Sequence, residues 1–126
     1  MATNANKAVV QGFTEAVWHK RDIDAIDRYF SDRYRDPEIA GPPRDGLKQF
    51  FAAYFTRRPD FRVTSEDYIG EGDRVVQYIT GEFTNTEERL GPPGARMEMH
   101  EINIFTVEDG QIVGRTGIGR STPRTS

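Results

Sequence analysis

The chain has 126 residues, no cysteine, two histidines and a formal net charge of −3 from 17 basic and 20 acidic residues. That is length enough for one domain, 1–126, with its own core; it excludes disulfide and thiolate chemistry, fits a reducing cytoplasm, and offers no basic block for nucleic acid or an anionic membrane. With only His19 and His100, no H-E-x-x-H spacing and no apolar stretch of signal-peptide or membrane-span length, neither a metal site nor a membrane association is expected.

Residues 4–20 read as a helix, because Val9, Val10, Phe13, Ala16 and Val17 recur at helical spacing after Thr3 or Asn4, either of which can cap it. "RDIDAIDRYF" reads as a short second helix, with Asp22 as its cap and Ile23, Ile26, Tyr29 and Phe30 on one stripe. "YRDPEIAGPPRDGLKQFF", residues 34–51, is stiffer than a plain connection needs, with an Asp-Pro and a Gly-Pro-Pro ahead of a third helix over about 45–57. Leu47, Phe50, Phe51, Tyr54 and Phe55 form that helix's stripe, and Pro59 ends it.

After Pro59 the pattern changes to four strand-like runs: "FRVTSEDYI", "RVVQYITGEFT", "RMEMHEINIFTV" and "QIVGRTGIG". They are parted by "GEGD", "NTEERLGPPGA" and "EDG". Helices followed by an antiparallel meander give an α+β domain with helices on one face of a curved sheet, and the polar tail 121–126 is expected to fray. On the third run Met97, Met99, Glu101, Asn103 and Phe105 share one face and His100, Ile102, Ile104 and Thr106 the other. Both faces carry apolar side chains. The face that does not meet the helices would expose Ile102 and Ile104, with Val75, Ile79 and Phe83 as candidates to lie beside them, and so suggests a homodimer. Alternation alone leaves open which face is which.

The ordered set "FTEAVW", "DIDAIDRYFSDRYRDP", "GLKQFF", "EDYIGEGDRVV", "LGPPGARMEM" and "INIFTVEDGQIV" resembles the nuclear transport factor 2-like superfamily over nearly the whole chain, and within it the SnoaL-like polyketide cyclases and ketosteroid isomerases. The resemblance implies a cone-shaped α+β barrel, three N-terminal helices packed in a curved antiparallel or mixed sheet, with an apolar pocket inside and a dimer outside. It places the Asn103 face in the pocket and the Ile102 face against a partner, with "LGPPGA" closing over the pocket mouth.

By the same resemblance Asp36 of "YRDP" matches the isomerase general base; read from the residues alone, it is equally a turn aspartate before proline. Asn103 falls where isomerases place an oxyanion-stabilising acid, and an amide can still donate there. Tyr54 matches a supporting pocket tyrosine. Two departures stand out: Thr14 occupies the place of the main donor tyrosine, and Gly117 that of the last-strand aspartate of aldol-type cyclases. Glu101 and Arg115, on adjacent strands, can pair or bind a polar ligand group. Trp18, Phe50, Tyr78 and Met99 serve as apolar walls or plain core.

The expected function is a cofactor-independent cyclase or isomerase acting on a small hydrophobic polyketide-like or carbonyl substrate. Two alternatives remain: epoxide opening, as in limonene epoxide hydrolases, whose Arg-x-Asp pair is not recognisable here, and a non-catalytic ligand-binding dimer.

Overall fold

The computed structural model describes residues 2–124. Helix α1 (Ala2–Phe13) runs into a π-helical turn, Thr14–His19, which directs Thr14, Val17 and Trp18 inward. The Thr14 hydroxyl donates to the Val10 carbonyl at 2.8 Å inside this helix, the back-bonding that disturbs regular helix geometry. Arg21 ends the helix in the left-handed region (φ 58°). The Arg21 N–H donates to the Val17 carbonyl, the bond of an αL cap, and the Asp22 N–H reaches one residue further back to the Ala16 carbonyl.

The expected second helix is shorter than its stripe suggests. A 3₁₀ turn (Ile23–Ala25) leads into α2 (Ile26–Tyr29), and Asp22 makes no side-chain cap. Phe30 already begins a strand, β1 (Phe30–Arg35), which the helical spacing of the apolar residues concealed. Helix α3 (Pro43–Arg57) starts with proline in its first turn, where no backbone donor is needed, and buries Leu47, Phe51, Tyr54 and Phe55.

Strands β2 (Arg62–Glu71), β3 (Arg74–Thr84), β4 (Arg96–Glu108) and β5 (Gln111–Pro123) complete one sheet of order β1-β5-β4-β3-β2. All neighbours are antiparallel except β1 and β5, which run parallel through Phe30 opposite Ile112 and Arg35 opposite Gly114. The result is the expected α+β arrangement, three helices against a five-stranded mixed sheet. Strand β5 is longer than expected: Ser121, Thr122 and Pro123 pair with Met99, Glu98 and Met97, so that part of the tail is sheet. Residues 125–126 of the expected frayed tail lie outside the described residues.

Residues directly opposite one another in an antiparallel pair share a face. Val75 lies opposite Phe105, Ile79 opposite Glu101 and Phe83 opposite Met97, so all three side chains turn inward and are fully buried, correcting their possible place on the outer face. The core they join is aromatic. Phe13 meets Phe30 edge-on at 4.8 Å, and Trp18 meets Phe51 at 5.0 Å and Tyr54 at 5.2 Å, a geometry that suits ring quadrupoles. The outer face carries Val76, Tyr78, Ile102, Ile104 and Ile118 in adjoining rows. No helix among the described residues is long and apolar enough to cross a membrane.

Candidate active site

Asp36 follows β1 directly, and its side chain is only 3% exposed. Three donors hold the carboxylate. The Tyr34 hydroxyl donates to Oδ2 at 2.7 Å, Arg115 Nη1 donates to Oδ2 at 3.2 Å, and the Glu38 backbone N–H donates to Oδ1 at 3.0 Å. The last bond is an Asx turn, the local reason this segment is built stiffly before Pro37. Tyr34 lies two residues ahead on an extended chain and therefore on the same side as Asp36. Burial, and then the hydrogen bond to Asp36, push its phenol far above the usual range, so it remains a donor.

Arg115 comes from β5, opposite Phe105. Its Nε donates to Asn103 Oδ1 at 2.7 Å and its Nη1 also donates to Glu38 Oε2 at 2.9 Å. Burial pulls the guanidinium down, but the Glu38 hydrogen bond and the charges of Glu101 and Asp36 outweigh it and leave Arg115 raised. The side chain lies over Gly117, the residue opposite Asn103. A Cβ on Gly117 would fall 2.5 Å from Asn103 Oδ1 and 2.7 Å from Arg115 Nη2. Glycine at 117 is therefore the space the guanidinium occupies.

This contact fixes the polarity of the buried amides. An arginine Nε can only donate, so the Asn103 atom facing it is Oδ1. Asn103 Nδ2 then donates to Glu101 Oε1 at 2.9 Å and to Gln77 Oε1 at 3.1 Å. Gln77, fully buried, passes its own N–H groups to the Thr14 hydroxyl at 2.7 Å and the Tyr68 hydroxyl at 3.2 Å. Asn103 thus has no N–H left for a developing oxyanion, which corrects its expected role: it orients Arg115. Arg115 Nη2 makes no hydrogen bond and lies 3.8 Å from Glu101 Oε1. Every fully buried side-chain polar atom among the described residues is hydrogen-bonded. Nη2 therefore keeps open access, and it is the unspent donor of the site.

Beside this cluster lies a cavity of about 70 Å³ walled by rings that include Phe13, Trp18, Phe50 and Phe105. Phe50 is 40% exposed yet lines it, so Trp18 and Phe50 sit where expected. Tyr54 and Met99 do not line this cavity; they line an adjoining cleft that shares Glu38, Glu101 and Arg115 with it. The Tyr54 hydroxyl accepts from Arg58 Nη1 at 2.8 Å, and burial pushes it up to about 12 against the pull of Arg58. Tyr78 is misplaced in the sequence reading. It sits opposite Ile102 on the outer face, with its hydroxyl 2.8 Å from His100 Nδ1, because alternation from the inward Gln77 turns it away from the helices. His19 binds Glu66 at the surface. The loop from Leu90 reaches only the adjoining cleft, through Leu90 itself, and Asn85 Nδ2 pins it by donating to the Gly91 and Pro92 carbonyls.

Sequence reasoning missed Tyr34, Glu38 and Gln77. Gln77 had a signal: a long polar side chain at the inward parity of an otherwise apolar strand face.

A family model described as SnoaL-like polyketide cyclase matches residues 8–119. No curated protein matches the chain. Among solved structures, a candidate polyketide cyclase from Acidithiobacillus ferrooxidans is similar at 22% identity and a TM-score of 0.74, covering 91% of this chain and 87% of that one. TsrD from Streptomyces laurentii is similar at 25% identity, TM-score 0.73, covering 89% and 88%. IdmH from Streptomyces antibioticus, a candidate polyketide cyclase, is similar at 23% identity, TM-score 0.72, covering 90% and 91%.

Proposed function

Because this chain belongs to the SnoaL-like polyketide cyclase family, we propose that it is a cofactor-independent cyclase or isomerase in which Asp36 is the base and Arg115 the oxyanion donor. The observation that carries this reading is the buried Asp36 carboxylate beside an aromatic cavity, with the unspent Arg115 Nη2 next to it. Asp36 removes a proton from a carbon next to a carbonyl, and Arg115 Nη2 donates to the oxygen that gains charge. Where a neighbouring double bond extends the enolate to a dienolate, its far carbon takes the proton back from Asp36, an isomerisation; otherwise the enolate carbon forms a bond to a second carbonyl carbon whose oxygen takes the proton from Asp36, a ring closure. A carboxylate is a weak base, so the chemistry suits a methylene acidified by two carbonyls. The carboxyl oxygen Oδ1, which accepts only the Glu38 N–H, has a lone pair for the proton.

The test is exchange of the methylene protons of ethyl acetoacetate, which stand between two carbonyls, in mildly acidic deuterated water, followed by proton NMR. Asp36→Asn should slow the enzyme-dependent exchange by roughly 10²- to 10⁴-fold. An unchanged rate in this variant rules out Asp36 as the base, and no exchange above buffer in the wild type favours the non-catalytic ligand-binding reading.

One observation favours epoxide opening as a second reading: Arg115 bridges two carboxylates, Asp36 and Glu38, an arrangement able to orient a water and polarise a ring oxygen. Hydrolysis of styrene oxide without ketone exchange would select it. In either case the molecule works as a homodimer joined through the outer sheet face, whose apolar rows are otherwise left to water.

A further inference from the structure

The charged side chains that line the aromatic cavity are Asp36, Glu38, Glu101 and Arg115. Arg115 meets Asp36 at 3.2 Å and Glu38 at 2.9 Å, and its Nη2 stands 3.8 Å from Glu101 Oε1. One guanidinium thus serves three carboxylates, and the chamber holds more negative charge than it neutralises. The cations of the adjoining cleft are engaged elsewhere. Arg58 is taken up by Glu87 at 3.2 Å and by the Tyr54 hydroxyl at 2.8 Å, and Arg89 also pairs with Glu87, at 3.0 Å. Arg120 stands opposite His100 and belongs to the outer face.

Part of the carboxylate capacity is open. Glu101 Oε1 accepts from Asn103 at 2.9 Å, whereas Oε2 has no partner among the described residues. No fully buried polar atom there is left unbonded, so Oε2 faces accessible space. Gly119, opposite Glu101, leaves that space clear, since a Cβ on it would stand 3.2 Å from Oε2. Glu38 accepts from Arg115 through Oε2, and its side chain is otherwise 64% exposed.

A ligand entering here meets one open donor, Arg115 Nη2, with open acceptors beside it. Its match is a molecule that carries an acceptor and a donor close together. The surplus of negative charge favours a cationic donor, because hydrogen bonds between charged groups are the stronger ones. The ring walls do not oppose it, since aromatic faces are themselves negative.

We infer that the substrate is an amino-carbonyl compound, with its carbonyl oxygen on Arg115 Nη2 and a protonated amine on a nearby carbon held by Glu101 and Glu38. This names the substrate class for the reading above and rests on the same cavity being the reaction chamber. The ammonium also assists that chemistry, because it further acidifies the carbon standing between it and the carbonyl.

The test reads binding, not turnover. Trp18 is the chain's single tryptophan and lines the cavity, so the shift of its indole N–H signal in proton–nitrogen NMR follows occupancy. Aminoacetone, hydroxyacetone and butanone place an ammonium, a hydroxyl and a methyl on one ketone skeleton. In mildly acidic buffer at low salt, aminoacetone should bind about tenfold or more tighter than butanone, the scale of one hydrogen bond to a charged group. Hydroxyacetone should fall between them, pyruvate should bind more weakly than aminoacetone, and added salt should narrow the gap. Glu101→Gln, which keeps an acceptor for Asn103, should lose most of the preference, and Glu38→Gln part of it. Equal affinities for aminoacetone and either neutral ketone overturn the inference. So do tighter binding of pyruvate, no response to aminoacetone, or an unaltered preference in a folded Glu38→Gln/Glu101→Gln protein. A wild type that prefers aminoacetone but exchanges no ethyl acetoacetate protons keeps this inference and loses the acid–base reading; exchange without the preference does the reverse.

Discussion

Gly117 shows how one side chain's absence sets the chemistry of a site. Where a last-strand aspartate was the resemblance's expectation, the structure has a guanidinium reaching back across a glycine to Asn103 and Asp36. A methyl group there leaves no room without moving Asn103 or Arg115. Gly117→Ala should therefore destabilise the fold by about 1–3 kcal/mol, the usual scale of overpacking, and should abolish ketone exchange because Nη2 is displaced. Denaturant titration and the exchange assay together check this; full exchange in a folded Gly117→Ala protein would mean that Arg115 is not the donor. The same logic explains why Asn103 was misjudged. Its position was legible, but its donors are spent on Glu101 and Gln77, and hydrogen-bond partners from other strands are not written in a local motif.

Among the elements, alternation along β4 was legible and its faces emerged as two clean sets, with Met97, Met99, Asn103 and Phe105 buried and Ile102 exposed. Strand β3 was harder to place because both its parities carry apolar residues, so Val75 and Val76 look alike until pairing with β4 separates them. Strand β1 was illegible as a strand because Ile26, Tyr29 and Phe30 fit a helical stripe while tertiary pairing with β5 overrides the local preference. The outer rows of β3, β4 and β5 carry a prediction. Ile118 is 77% exposed and lies opposite Ile102, so charge on this surface should prevent association. Light scattering should give a dimer for the wild type and monomers for Ile102→Lys and Ile104→Lys, each still folded by circular dichroism. A wild type that stays monomeric at high concentration ends the dimer proposal.

For the molecule as a whole, buried tyrosines set an alkaline limit. Burial raises Tyr54 and Tyr68 from the ordinary value of 10.0 to about 12 and raises Tyr34 further, the Asp36 hydrogen bond adding to it. Above pH 10 the unfolded chain releases phenolic protons that the folded chain retains. Their contribution to stability is therefore complete below pH 10 and is lost as pH climbs through 12. Urea melts between pH 8 and 12 should show a decline that begins near 10 and is shallower in Tyr34→Phe. A flat profile to pH 12 would contradict the burial of these phenols.

The parallel pair of β1 with β5 has a further consequence, for the order of assembly. Asp36 and Arg115 stand 79 positions apart, and the two strands that bring them together close the longest loop of the sheet. Closing such a loop costs chain entropy before any contact rewards it. The β2–β3–β4–β5 meander, by contrast, zips through near neighbours in sequence. If Asp36 and Arg115 act together as proposed, exchange activity should therefore appear only with that closure, and a partly folded species that lacks the β1–β5 pair should exchange no ketone protons. Recovery of exchange activity during refolding becomes a clock for that one event, distinct from the earlier recovery of sheet signal.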